Sequence, residues 1–367
     1  MGPRTGRASI LLCVVLAATL GGAATAGPLD FGRPFLAVDP YDEVAAMGRG
    51  MNVLGHDPVW TDPTQTRFQA RHFRTIHDAG FSTVRIALHG LRHMDSDGKL
   101  DPAWLATLDS MVAAALQADL HVSLDLHYYD ECDADVPGCA ARIKAFWGQI
   151  APRYQDASNG LMFELLNEPH GKLDAKTWNA MLPDVLTIVR ATNPTRNVVV
   201  SPAGWGSIDQ LKNLELPAGD RHIIVTVHYY WPMTFTHQGA RWVSSTANLS
   251  GIRWGSTEER AKVATDFDSV KSWSEAQHRP IFLGEFGAYD RGGADIESRI
   301  RYDYTVARQA EAHGFAWAYW QFDSDFIAYD MTTDAWVTPV LYALVPPADT
   351  HSARNDLTVG TRRPALK

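Results

Sequence analysis

The octapeptide FELLNEPH, residues 163–170, joins an apolar run to Asn167, Glu168 and Pro169. The run reads as a buried strand, and Pro169 ends it. Proline cannot donate to a sheet ladder, and it biases the residue before it towards extended backbone. Glu168 therefore stands at the C-terminal end of an apolar strand, where a carboxylate is costly to bury unless it is paired or used.

Seven further segments share this form: RGMNVLG (49–55), STVRIALH (82–89), HVSLDLHYYD (121–130), NVVVSPAGW (197–205), HIIVTVHYYWP (222–232), PIFLGEFG (280–287) and FAWAYWQFD (315–323). Each is short and apolar with little polar alternation, the pattern of strands covered on both faces. Helical spacing falls between them. RFQARHFRTIHDAG (67–80) puts Phe73 and Ile76 on one face and stops at Gly80. Leu105, Leu108, Val112, Ala115 and Leu116 form a second stripe, and further helices are predicted near 140–155, after a cap at Asp174, and over 258–278 and 295–313. Eight β–α repeats in about 300 residues predict an α/β chain folded as a single-domain (β/α)8 TIM barrel. An open doubly wound sheet is the alternative, but no glycine-rich phosphate loop follows the first strand.

The barrel domain is placed at residues 27–347. Ahead of it, Arg4 and Arg7 give a basic start, Ile10 to Leu20 an apolar middle, and Ala24-Thr25-Ala26 a small-residue cleavage site. Residues 1–26 thus read as a secretory signal peptide, which predicts a secreted protein, periplasmic or extracellular, with no membrane anchor. Its removal leaves 367 − 26 = 341 residues and moves the formal charge from −9 to −11, because two arginines go and no acid does. Residues 348–367 read as a loose C-terminal tail. An acidic chain without a Lys/Arg-rich block argues against nucleic acid or an anionic membrane as partner. The 12 tryptophans lean towards a ligand with flat apolar faces, a sugar or an aromatic. A monomer is expected.

Cys13 lies in the leader, so Cys132 and Cys139 remain as an even pair flanking DADVPG. In an oxidising compartment they form a candidate disulfide, worth on the order of 2–3 kcal/mol if loop entropy is what it removes. The alternative is a metal held with Asp130, Glu131, Asp133 and Asp135, although the thiol spacing does not suit zinc.

In a barrel of this type chemistry gathers where strands end. Those ends carry Asn52, Arg85, His127, Asn167 with Glu168, Trp205, His228 with Tyr230, Glu285 and Trp320. Here the chain resembles the retaining glycoside hydrolases built on (β/α)8 barrels, and among them family 5, the cellulase family. LLNEP around Glu168, VHYYWP around His228 and LGEFGAY around Glu285 carry the resemblance; RIALH, DLHYY and WAYWQFD support it. It spans roughly residues 45–345 with the motifs in order.

The resemblance implies a polysaccharide-cleaving hydrolase with Glu168 as acid/base and Glu285 as nucleophile. It implies that Arg85 keeps Glu285 ionised, that Tyr230 donates to it, and that Asn167 meets the sugar 2-hydroxyl. His127 and His228 would orient substrate and carboxyls, and Trp320 would stack on sugar, with Trp205 and Trp231 as further platforms. No metal and no organic cofactor are expected, since two carboxyl groups suffice; metal-dependent hydrolysis is the minor alternative. The segment FTHQGARWV (235–243) resembles endo-β-1,4-glucanases more than mannanases. The same machinery acting on mannan, xyloglucan or mixed-linkage glucan is the second reading, and a silent carbohydrate-binding barrel the third.

Blander readings apply residue by residue. A lone strand-end glutamate more often caps a helix or pairs with a base. Arg85 could serve a structural ion pair, His127 and His228 could be satisfied core histidines, and Glu164 reads as a buried structural carboxylate one pleat below Glu168. Asn52 and His56 have weak claims. Strict alternation would send Asn167 and Glu168 to opposite faces, so the regular strand is expected to end near Leu166.

Overall fold

The computed structural model describes residue 2 and residues 34–127 and 131–347. The predicted signal peptide apart from Gly2, residues 27–33 of the predicted barrel domain, the predicted tail 348–367, and Tyr128, Tyr129 and Asp130 lie outside the described residues. Eight parallel strands close into a barrel in chain order, with β1 returning to β8. They are β1 (Arg49–Val53), β2 (Thr83–Leu88), β3 (His121–Leu126), β4 (Leu161–Glu164), β5 (Val198–Val200), β6 (Ile223–Tyr229), β7 (Ile281–Phe286) and β8 (Ala316–Tyr319). Seven lie inside their expected segments; β4 begins at Leu161, two residues before FELLNEPH.

The helices are α1 (Pro40–Met47), α2 (Arg71–Asp78), α3 (Pro102–Gln117), α4 (Glu131–Ala134), α5 (Val136–Arg153), α6 (Ala175–Arg190), α7 (Met233–Thr236), α8 (Thr257–Gln277), α9 (Ile296–Ala312) and α10 (Thr338–Leu344). Asp174 caps α6 by accepting from the Thr177 N–H, as expected. The crossover from β5 to β6 holds only a 3-10 turn, Ile208–Asn213. Helix α2 starts at Arg71 rather than 67, for a local reason. The Asp57 carboxylate accepts from the backbone N–H groups of Arg67 and Phe68 and from Thr66 Oγ1, so residues 66–68 wrap around it.

The barrel interior has two storeys. The lower is apolar: Met162, Val199, Ile224, Phe282, Ala316 and Ala318 meet Val44 and Met47 of α1, which lies under the barrel as a plug. Asp39 caps that helix through the Tyr41 N–H, and Pro40 opens it. The upper storey is polar, because register aligns Asn52 with Arg85, Arg85 with Ser123, and Asp125 with Glu164 on neighbouring strands. Side chains that cannot be tolerated in an apolar core are therefore collected at the C-terminal mouth.

Because the plug fills the floor on which the polar storey rests, truncating it opens a cavity. Met47→Ala is expected to lower unfolding free energy by roughly 2–4 kcal/mol, measured by urea denaturation.

Candidate active site

Arg85 is fully buried in the upper storey. Glu164 grips it with two bonds of 2.8 Å, from Nε and Nη2, and Ser123 Oγ donates to the same carboxylate at 3.1 Å. Nη1 donates to Glu285 Oε1 at 2.7 Å and to Asn52 Oδ1 at 2.9 Å. Nη2 donates to Asn167 Oδ1 at 2.5 Å and lies 3.0 Å from Asp125 Oδ2. Burial opposes the charge on Arg85, but Asp125, Glu164 and Glu285 outweigh it and hold its pKa well above the usual value.

Two breaks in strand alternation bring Asn167 and Glu285 to this cation. Regular β4 ends at Glu164, two residues before the expected Leu166. Leu165 and Leu166 then both join the helix-side core, where strict alternation would turn one of them inward. That slip turns Asn167 into the barrel, with its N–H still bonded to Leu126 O at 3.0 Å. On β7 the register against β6 jumps between Val227 and His228, pairing His228 with Glu285. Gly284 sits at the jump, where a Cβ would come within 2.4 Å of Thr226 Oγ1. Such a bulge re-aims the following side chain, and it turns Glu285 inward. Asn52 secures it, donating from Nδ2 to Gly284 O at 2.9 Å and to Tyr319 O at 3.2 Å. Asn52 thus matters more than its sequence suggested. Its partners are backbone carbonyls distant in the chain, which leave no local signal.

Glu168 faces Glu285 across the mouth. His228 Nδ1 stands between them, 2.6 Å from Glu168 Oε1 and 3.6 Å from Glu285 Oε2. One ligating oxygen from each glutamate and one His228 nitrogen all lie within 4.8 Å of one another. Burial raises both carboxyls to about 7, although Glu168 keeps 21% of its side chain open to the mouth. Neighbours then separate them. Glu285 accepts from Arg85 and from Tyr230 Oη at 3.0 Å. Among the described residues the Glu168 carboxyl has one side-chain hydrogen-bond partner, His228, which burial keeps neutral by lowering its pKa to about 4. The bonds from Arg85 and Tyr230 favour the charged form of Glu285.

Aromatic rings frame the pair. Trp320 is nearly parallel to His127, at 14° with centroids 5.4 Å apart, and His56 meets its edge. Trp205 is 58% exposed and stacks on His170 at 4.8 Å. It lies in a left-handed run, Gly204-Trp205-Gly206, with φ of 72°, 58° and 65°. That turn is tied to the acid-bearing segment, because the N–H groups of Gly204 and Trp205 both donate to Pro169 O. Trp231 is 42% exposed and carries the Lys262 ammonium over its ring. Trp242, exposed and edge-on to Tyr289, is an aromatic that sequence reading passed over; it lay within FTHQGARWV, the segment quoted for its resemblance to endoglucanases.

Cys132 and Cys139 are joined by a disulfide. The bridge closes the stretch containing Asp133, whose carboxylate accepts from the Lys172 N–H at 2.8 Å. It thereby links the loop after β3 to the loop after Glu168.

The chain matches the family model Cellulase (glycosyl hydrolase family 5) over residues 44–325, which contain every residue of this site. It belongs to glycosyl hydrolase family 5. The chain is 31% identical over 326 residues to Endoglucanase H of Acetivibrio thermocellus, covering 85% of this chain and 34% of that one. Endoglucanase B of Clostridium cellulovorans is 25% identical over 296 residues, 64% of its length. The chain thus spans less than two thirds of these curated relatives. Among solved structures, Thermotoga maritima Cel5A in complex with cellobiose superposes with a TM-score of 0.80 at 35% identity, over 84% of this chain and all of that one. The cellulose synthase subunit Z of Clostridioides difficile gives 0.76 at 34% identity, over 82% of this chain and 99% of its own.

Glu168, His228 and Glu285 have the spacing of a three-ligand metal set. The Arg85 cation, 2.7 Å from one Glu285 oxygen, makes the set a poor fit for a further positive ion. The Tyr230 bond favours the charged form of Glu285, so its loss must raise that pKa. In Tyr230→Phe the Glu285 carboxyl is expected to titrate at higher pH than in the parent, followed by carbon NMR of the labelled side chain.

Proposed function

We propose that the protein is a retaining endo-β-1,4-glucanase that cleaves cellulose-type chains by double displacement, with Glu168 as acid/base and Glu285 as nucleophile. The observation that carries this reading is the approach of the two carboxyls to within 4.8 Å. Retaining pairs stand roughly 5–5.5 Å apart, whereas inverting pairs need roughly 6.5–9.5 Å to admit a water.

In the first step Glu285 attacks the anomeric carbon as Glu168 protonates the departing oxygen. The second carboxyl has no space for water between it and the sugar, so a glycosyl ester forms. Esterification removes the charge of Glu285 and the repulsion it exerted on Glu168, whose pKa falls. Glu168 then takes a proton from the incoming water as the water oxygen bonds to the anomeric carbon. The ester bond to Glu285 breaks, releasing the sugar and restoring both carboxyls. Arg85 keeps Asn167 turned by its amide oxygen, which leaves the Nδ2 donor for the sugar 2-hydroxyl. Trp320 and His127 form one wall of the central sugar pocket, and Trp205 and Trp231 are platforms at neighbouring positions on the chain.

The substrate assignment rests on the endoglucanase relatives and on the cellobiose complex of Thermotoga maritima Cel5A. That enzyme has also been solved with mannotriose, which favours mannan as the second reading. We further infer that the protein acts outside the cytoplasm; the leader-like pattern of residues 1–26 and the Cys132–Cys139 bridge support this.

Glu285→Ala is expected to lose hydrolysis by at least about 10⁴-fold while melting as the parent does; unchanged turnover would refute the nucleophile. A 2-deoxy-2-fluoroglycoside should label the peptide containing Glu285. Initial rates on carboxymethylcellulose, barley glucan, xyloglucan and mannan rank the substrates, with the first two expected fastest. EDTA dialysis is expected to leave the rate on the best substrate unchanged.

A further inference from the structure

Asp125 belongs to none of the roles assigned above, yet it lies at the centre of the site. It is fully buried on β3, one pleat below His127 and on the same inward face. Its Oδ2 is 2.6 Å from His127 Nδ1 and 3.0 Å from Arg85 Nη2, while Oδ1 has no partner among the described residues. A purely structural origin is hard to sustain. Arg85 already has the two-bond grip of Glu164 and the contact of Glu285. A third buried carboxylate with an unmet oxygen adds repulsion and desolvation, and a neutral side chain of the same size would serve folding better.

We propose that Asp125 is a positioning residue for the sugar pocket: it sets the tautomer and tilt of His127 against Trp320 and ties that wall to the cation of the nucleophile. His127 is neutral, because burial lowers its pKa far below the usual value. A neutral imidazole carries one N–H, and its partner decides which nitrogen bears it. Burial raises the Asp125 carboxyl to about 7; above that pH it is the acceptor, so the proton sits on Nδ1. The ring is thereby pinned at one edge by Asp125 and along one face by Trp320. The charged groups that face Asp125 are Arg85 from β2, Glu164 and Glu168 from β4 and its loop, and Glu285 from β7. Its negative charge also lifts the pKa of Glu285.

The inference rests on Glu168 and Glu285 as the reacting pair, and its test separates the two claims. In the full chain, nitrogen NMR of His127 at about pH 8 should show the Nδ1–H form; the Nε2–H form in the parent protein overturns the proposal without any variant. Asp125→Asn presents an amide that cannot accept from Arg85 and His127 together through one charged oxygen. It is expected to lower kcat/KM on cello-oligosaccharides roughly 10–100-fold and to move the acid limb of the pH profile to lower pH, since the anion beside Glu285 is gone. A loss equal at every pH, or His127 shifts unchanged by the substitution, overturns the proposal. If the parent hydrolyses no β-glucan, the functional reading fails, and the His127 resonances still decide the role of Asp125.

Discussion

A guanidinium buried from solvent must find its counter-charges inside the protein, and Arg85 finds them on three strands at once. Glu164 neutralises it with matched geometry, Glu285 shares it at 2.7 Å, and Asp125 lies 3.0 Å away. The arrangement ranks the carboxyls. The one that shares the cation and a tyrosine hydroxyl is favoured as an anion, and the other faces a neutral imidazole. In the proposed mechanism that difference separates two chemically identical side chains into nucleophile and acid, and the apolar storey and its helical plug give the cation a fixed seat.

Much of the fold was legible because parallel strands buried on both faces leave continuous apolar runs. Seven lie within the segments that predicted them, and the fourth overlaps the start of FELLNEPH. Helix starts were less legible: the wrap of residues 66–68 around Asp57 is a long-range satisfaction of backbone donors, and it removed the first turn expected of α2. The short crossover between β5 and β6 likewise left no periodic trace.

In the site, residue identities were readable and their directions were not. Counting along a strand turns Glu285 away from the barrel, and only the bulge at Gly284 turns it inward. Asn167 depends on two consecutive leucines packing on one side. Such departures depend on neighbouring strands, which a linear pattern does not contain. The same holds for Asn52, whose amide seals the bulge through carbonyls more than 200 positions away.

The turn that presents Trp205 hangs from the carbonyl of Pro169, the residue that follows Glu168. Whatever leans on that indole leans on the backbone from which Glu168 projects. Under the proposed mechanism, load from a polymer on Trp205 would reach the acid through two amide contacts, and grip on the chain and aim of the acid would be a single adjustment.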